Sequence, residues 1–120
     1  MTMNTQTDDQ PAGPGPRLRV LDGRNILFDG EGFFNDFDDW SEKAFEILAA
    51  EQGLTEITDR HRQVIRFLRG YYAYHGRAPM NRELRQGTGM PVLELEQLFP
   101  GGLKEGARRL SGLPNPKTCN

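Results

Sequence analysis

The chain has 120 residues, 36% hydrophobic and 27% charged, with a mean hydropathy of −0.68; that suffices for one domain and leaves segments outside its core. No apolar run approaches the roughly 20 residues of a membrane span and the N-terminus lacks a secretory apolar region, so a cytoplasmic protein with no membrane contact is expected. The single cysteine, Cys119, excludes an internal disulfide, fits a reducing compartment, and stands too near the end for a prenylation box.

The net charge of −2 conceals a division. Residues 1–59 hold 13 of the 17 acids and four bases, a net of −9, whereas residues 60–120 hold four acids and 11 bases, a net of +7. The halves attract one another, and the basic half can also face an acidic partner.

Residues 1–16, rich in Thr, Asn, Gln, Asp, Gly and Pro without apolar periodicity, read as a disordered leader. The core domain is expected over 17–112 and a C-terminal arm over 113–120. Arg19-Val20-Leu21 and Ile26-Leu27-Phe28 flank Asp22-Gly23-Arg24-Asn25, which predicts a β-hairpin with a four-residue turn. A second turn follows at Asp29-Gly30-Glu31-Gly32; it lacks the alternating oxygen ligands of a calcium loop. A hairpin alone is marginal, so this one must pack on helices.

From Asp38 the period becomes helical. Trp40, Ala44, Ile47, Leu48 and Glu51 share a face, with Asp38 or Asp39 expected as N-cap and Gly53 just past the end. The crowd of acids there complements the positive helix end better than it forms an acid/base pair. Thr58 caps the strongest helix, in which His61, Val64, Ile65, Leu68, Tyr71, Tyr72 and His75 form the stripe, Arg62, Arg66 and Arg69 the far face, and Gly76 the stop. The two histidines have no metal-site spacing and read as stripe edges.

Next come a short helix over 81–86, a Gly87-Thr88-Gly89 turn and a helix from Pro91 to Phe99. This outline is helix-turn-helix-like, but the would-be recognition helix carries Glu94, Glu96 and no base, which argues against groove reading. Arg82 and Arg85 on the preceding helix are the candidates for any contact with DNA phosphates. A last helix over 103–110 ends at Ser111-Gly112 and launches the tail.

In the tail, Pro114 and Pro116 favour an extended, semi-rigid conformation, and the thiol of Cys119 sits at its tip. An ordinary thiol near pKa ~8.5 is a few per cent thiolate at neutral pH, already the best nucleophile in the chain. Lys117 projects to the same side of an extended strand and favours the thiolate; the terminal carboxylate of Asn120 opposes it. Arg108 and Arg109 suit the negative end of the last helix and, with Lys117, are candidates for guiding an acidic partner surface around the thiol. No Ser-His-Asp set, phosphate-binding loop, dinucleotide fingerprint or zinc cluster is present, and no cofactor is expected.

Several motifs together carry a resemblance. They are Gly32-Phe33, Asp39-Trp40-Ser41-Glu42, Glu51-Gln52-Gly53, His61 with Val64-Ile65-Arg66-Phe67-Leu68-Arg69, and Tyr71-Tyr72. Ala78-Pro79 with Arg82 and Leu84, Leu98-Phe99-Pro100-Gly101-Gly102, and Gly112-Leu113-Pro114 with Pro116 and Cys119 complete the set. In these the stretch from Gly32 to Asn120 resembles the DsrC/TusE family of small sulfur-relay proteins. The resemblance implies an α+β, predominantly helical fold: an N-terminal β-hairpin or meander on about five helices, with a flexible C-terminal arm. It further implies that Cys119 carries sulfur as a persulfide. TusE-like members take sulfur from a sulfurtransferase complex and pass it toward 2-thiouridine synthesis in tRNA. DsrC-like members serve dissimilatory sulfite reductase through a second arm cysteine, eleven places upstream, where this chain has Arg108. The one-cysteine carrier role is therefore expected, with a partner or regulatory role in sulfur oxidation or sulfite reduction, DNA binding included, as the alternative. The stretch between Leu84 and Leu98 is also shorter than the family pattern, and Arg62 follows His61 where a Trp is usual.

Overall fold

The computed structural model describes residues 15–115. It begins with an antiparallel hairpin, β1 (Arg17–Leu21) and β2 (Arg24–Phe28), in which Arg17 faces Phe28 and Leu21 faces Arg24. The turn is two residues rather than four. Asp22 and Gly23 have φ of 52° and 76°, the pair of positive values that matches a tight turn to the twist of the flanking strands, so Arg24 and Asn25 join the ladder. Leu21, Ile26 and Phe28 point into the core, and Phe34 returns beside Phe28 with ring centroids 4.8 Å apart. In the second turn one carboxylate oxygen of Asp29 accepts the N–H groups of Glu31 and Phe33, each at 2.9 Å, so the side chain does the work of a turn hydrogen bond.

Asp36 closes a single 3-10 turn, Phe37–Asp39, by accepting the Asp38 N–H at 2.9 Å. The cap of α1 (Glu42–Glu51) is then Ser41, whose hydroxyl accepts the Ala44 N–H at 3.1 Å, and not Asp38 or Asp39. All of these side chains suit a cap; the extended backbone at Ser41 decides which one serves. Helix α2 (Asp59–His75) starts at Thr58 and stops at Gly76, whose φ of 73° closes the C-terminus. His61 is no stripe edge. It is 6% exposed, accepts the Thr58 N–H on Nδ1 at 3.0 Å, donates from Nε2 to the Leu98 carbonyl at 2.8 Å, and meets the Phe99 ring edge-on.

Helix α3 (Asn81–Thr88) opens with Glu83 accepting the Met80 N–H at 2.8 Å. It runs two residues past the expected end because Gly87 lets it close on α2: a Cβ there would lie 2.1 Å from the Phe67 ring. Helix α4 (Val92–Leu98) buries Leu95, and its Glu94 is ion-paired to Arg60 beside the start of α2. Arg82 and Arg85 are exposed on α3. The last helix, α5 (Gly102–Arg108), has the wide π-type winding rather than the ordinary helix expected over 103–110. Its backbone packs against the preceding loop without side chains in between: a Cβ on Gly106 would lie 2.8 Å from Cβ of Phe99, and one on Gly101 2.9 Å from backbone atoms of Glu105 and Gly106.

One core joins hairpin and helices, as the α+β, mainly helical reading requires. Its members include Phe28 and Phe34, Phe45 and Leu48 of α1, Val64 and Leu68 of α2, and Phe99, Leu110 and Leu113. Each such side chain contributes about 1.5–3 kcal/mol by leaving water. Among the described residues no helix is long and apolar enough to cross a membrane.

Candidate functional site

Lys117 and Cys119 lie outside the described residues. What the structure gives is the root from which their segment departs. After α5 the chain turns through Leu110, Ser111 and Gly112 and then runs through Leu113 to Asn115. These last residues, expected at the base of an exposed tail, are packed: Leu113 is 1% and Asn115 7% exposed. Leu113 is apolar and core-sized, and the Asn115 amide donates to the Asp29 carboxylate at 3.1 Å. Cys119 is four steps along the chain from Asn115, which limits the distance between their Cα atoms to about 14 Å.

Three side chains fix that root. The Trp40 indole N–H donates to the Leu110 carbonyl at 2.8 Å. Arg69 donates to the Ser111 carbonyl at 2.9 Å while its guanidinium lies 3.9 Å from the Phe37 ring centroid and 4.4 Å from that of Trp40. The Ser111 hydroxyl donates to the Arg108 carbonyl at 2.9 Å. Gly112, with φ of 80°, fits against this cluster because it has no side chain: a Cβ would stand 2.8 Å from Cβ of Trp40 and 3.0 Å from Nη1 of Arg69. Burial pushes the Arg69 pKa down, partly offset by the charge of Asp38, but a guanidinium so far above neutrality stays protonated. Arg69 thus stacks at the arm root instead of lining a solvated face.

Arg108 and Arg109 do sit at this root, yet half-buried and turned to different neighbours. Arg108 donates to the Pro79 carbonyl at 3.0 Å, and burial pushes its pKa down. Arg109 lies over the Phe33 ring, 5.1 Å to the centroid, beside Gly32. The Nε atoms of both are buried without a hydrogen-bond partner among the described residues. Among the described residues, two clefts flank the root. One, about 400 Å³, lies between the hairpin and Arg109, with Phe28, Gly32, Leu48 and Gln52 in its wall; the other, about 250 Å³, lies between Trp40, Phe45 and the arginines of α2. Trp40, Arg69 and Gly112 were not singled out as functional in the sequence, although a lone tryptophan and a glycine just ahead of Leu-Pro were visible signals. Among the described residues no group of three or more His, Cys, Asp or Glu is placed to hold a metal ion.

Residues 20–120 match the family described as DsrC like protein. The gamma subunit of dissimilatory-type sulfite reductase from Nitratidesulfovibrio vulgaris Hildenborough is 38% identical over 97 residues, covering 81% of this chain and 92% of the relative. Sulfurtransferase TusE from Yersinia pseudotuberculosis is 33% identical over 106 residues, covering 82% and 97%. Among solved structures, dissimilatory sulfite reductase I matches with a TM-score of 0.80 at 35% identity, covering 87% of this chain and all of that one. The oxidized gamma subunit of the Archaeoglobus fulgidus enzyme matches with 0.75 at 30% identity, also over 87% of this chain and all of that one. The family model over residues 20–120, the relatives at 38% and 33% identity and the structures that share the hairpin-and-helix fold together place this chain in the DsrC-like family of sulfur-relay proteins.

Proposed function

We propose that the protein is a one-cysteine sulfur carrier in which Cys119 holds sulfane sulfur as a persulfide. The Cys119 thiolate attacks the outer sulfur of a donor persulfide; the donor S–S bond breaks, the donor leaves as its thiolate, and Cys119 keeps the transferred sulfur in a new S–S bond. Attack by an acceptor thiolate on that outer sulfur reverses the exchange and returns the Cys119 thiolate, with no net oxidation. Lys117 favours the thiolate, and Arg108 and Arg109 leave a positive potential at the base of the arm. The partners in this reading are a sulfurtransferase complex as donor and a tRNA-thiolating enzyme as acceptor.

The observation that carries it is the family match running through residue 120 with a single thiol in the penultimate position. Arg108 stands where the resemblance calls for a second thiol, so an intramolecular disulfide cycle has no partner sulfur. A second reading, service to a sulfite-reductase-type enzyme, is favoured by the higher identity to the gamma subunit, 38% against 33%. Loading tests the carrier chemistry common to both. After incubation with glutathione persulfide, intact mass should rise by one sulfur atom, reversibly with dithiothreitol and not in Cys119→Ser. No gain in the wild type, or an equal gain in the variant, contradicts it.

A further inference from the structure

The smaller cleft beside the arm root has a charge and shape that no other part of the described residues fills. Its apolar walls are Trp40, Phe45 and Ile65, and its rim is Glu42 of α1 with Arg62, Arg66 and Arg69 of α2. Arg62 on that rim is neutralised by ion pairs to Glu42 and Glu46. Arg69 is committed to two aromatic faces and the Phe37 and Ser111 carbonyls. Arg66 differs: it is exposed and makes no hydrogen bond or ion pair among the described residues.

Along the same helical row, Gly70 and Tyr74 follow Arg66 at four-residue steps. Gly70 sits inside a 17-residue helix, where glycine is unfavourable relative to alanine, and a Cβ built on it meets nothing within 4 Å. Nothing among the described residues explains the missing side chain, whereas close approach of another chain would use the gap. Tyr74, 86% exposed, ends the row with an amphipathic ring of the kind enriched at protein interfaces.

We propose that this cleft and row dock an acidic segment of a partner protein, with an apolar side chain entering between Trp40 and Phe45, a carboxylate meeting Arg66, and the partner backbone passing over Gly70. Charge complementarity selects the occupant. One uncommitted cation matches one carboxylate, whereas a nucleic-acid backbone calls for a row of free cations. A volume of about 250 Å³ suits one large side chain with its neighbours. Because Trp40 and Arg69 also hold the Leu110 and Ser111 carbonyls, a segment seated here lies against the root of the thiol-bearing arm. The surface needs no sulfur chemistry at Cys119, so its test and the loading test fail separately.

Trp40 is the chain's one tryptophan, so intrinsic fluorescence reports from the cleft alone. The full chain is titrated with the capped peptide DEFDE, its neutral counterpart NQFNQ and a short oligouridylate. Expected is a saturable, salt-sensitive change with DEFDE, weakened about tenfold or more by Arg66→Glu, weakened also by Gly70→Gln, and unaltered by Cys119→Ser. Thermal melting of Arg66→Glu should match the wild type, and Gly70→Gln should melt no lower, which separates lost binding from lost fold. The proposal is overturned if DEFDE gives no saturable change, if NQFNQ binds as well, or if oligouridylate binds more tightly with the same dependence on Arg66, the last result pointing to nucleic acid instead.

Discussion

Gly112→Ala should damage the arm root by two separable effects, and a second glycine measures one of them alone. At Gly112 the φ of 80° costs an L-residue about 1–2 kcal/mol. The added Cβ would also stand 2.8 Å from Cβ and 2.9 Å from Cδ1 of Trp40, in a site closed by Arg69, and relieving such overpacking costs about 1–3 kcal/mol. At Gly53 the φ is 90°, but nothing lies within 4 Å of the new methyl, so Gly53→Ala carries the backbone cost only. Urea unfolding followed by Trp40 emission should show Gly53→Ala destabilised by about 1–2 kcal/mol and Gly112→Ala by about 3–4. A difference of about 2 kcal/mol corresponds to roughly 10 °C in Tm for a domain near 100 residues. If the two variants lose the same stability, the close packing of Gly112 on Trp40 and Arg69 is refuted.

His61→Phe removes the acceptor for the Thr58 N–H and the donor to the Leu98 carbonyl, and should cost about 2–3 kcal/mol in chemical denaturation; a loss under about 0.5 would mean those groups find other partners. Glu83 is held down to about 2 by its hydrogen bonds from Arg77, then from the Met80 N–H and Tyr71, against an ordinary value of 4.5. Because the folded value is the lower one, its contribution is complete above pH 4.5 and is lost as pH falls toward 2. NMR titration of its side-chain carboxyl should give a midpoint well below 4.5 that rises in Arg77→Ala, and a wild-type midpoint at 4.5 contradicts the arrangement. Trp40→Phe leaves the Leu110 carbonyl without its indole donor and should speed hydrogen exchange at the Gly112 and Leu113 amides before global unfolding; unchanged exchange there argues against an indole-held root.

What the sequence disclosed was mostly local. Thr58 and Gly76 bound α2 because cap and stop act within one turn, and Asp22-Gly23 made the hairpin legible although the turn proved shorter than expected. Where several side chains could perform one local task, the backbone conformation decided: three aspartates precede α1, yet Ser41 caps it. Arg69 lay on the helix face away from the apolar stripe, and only the distant Phe37 and Trp40 turn its position into a stacking site. His61 was hidden for the same reason, since its partner carbonyl belongs to Leu98. The winding of α5 depends on backbone contacts of Gly101 and Gly106, which periodicity does not register. For the site the order reverses: Cys119 and Lys117 are legible in the sequence, whereas Trp40, Arg69 and Gly112 stand out there only as separate motif residues and come together as one root only in the fold.

The account turns on Cys119 both accepting sulfur and giving it up. The most direct measurement is a chase in which protein loaded with isotopically labelled sulfane sulfur is separated from donor and mixed with an equimolar acceptor cysteine protein and no free thiol, with label followed on both species. The account predicts that label leaves Cys119 for the acceptor as persulfide sulfur and that the emptied protein reloads. Label that stays on the protein, or that leaves from any site other than Cys119, would contradict it.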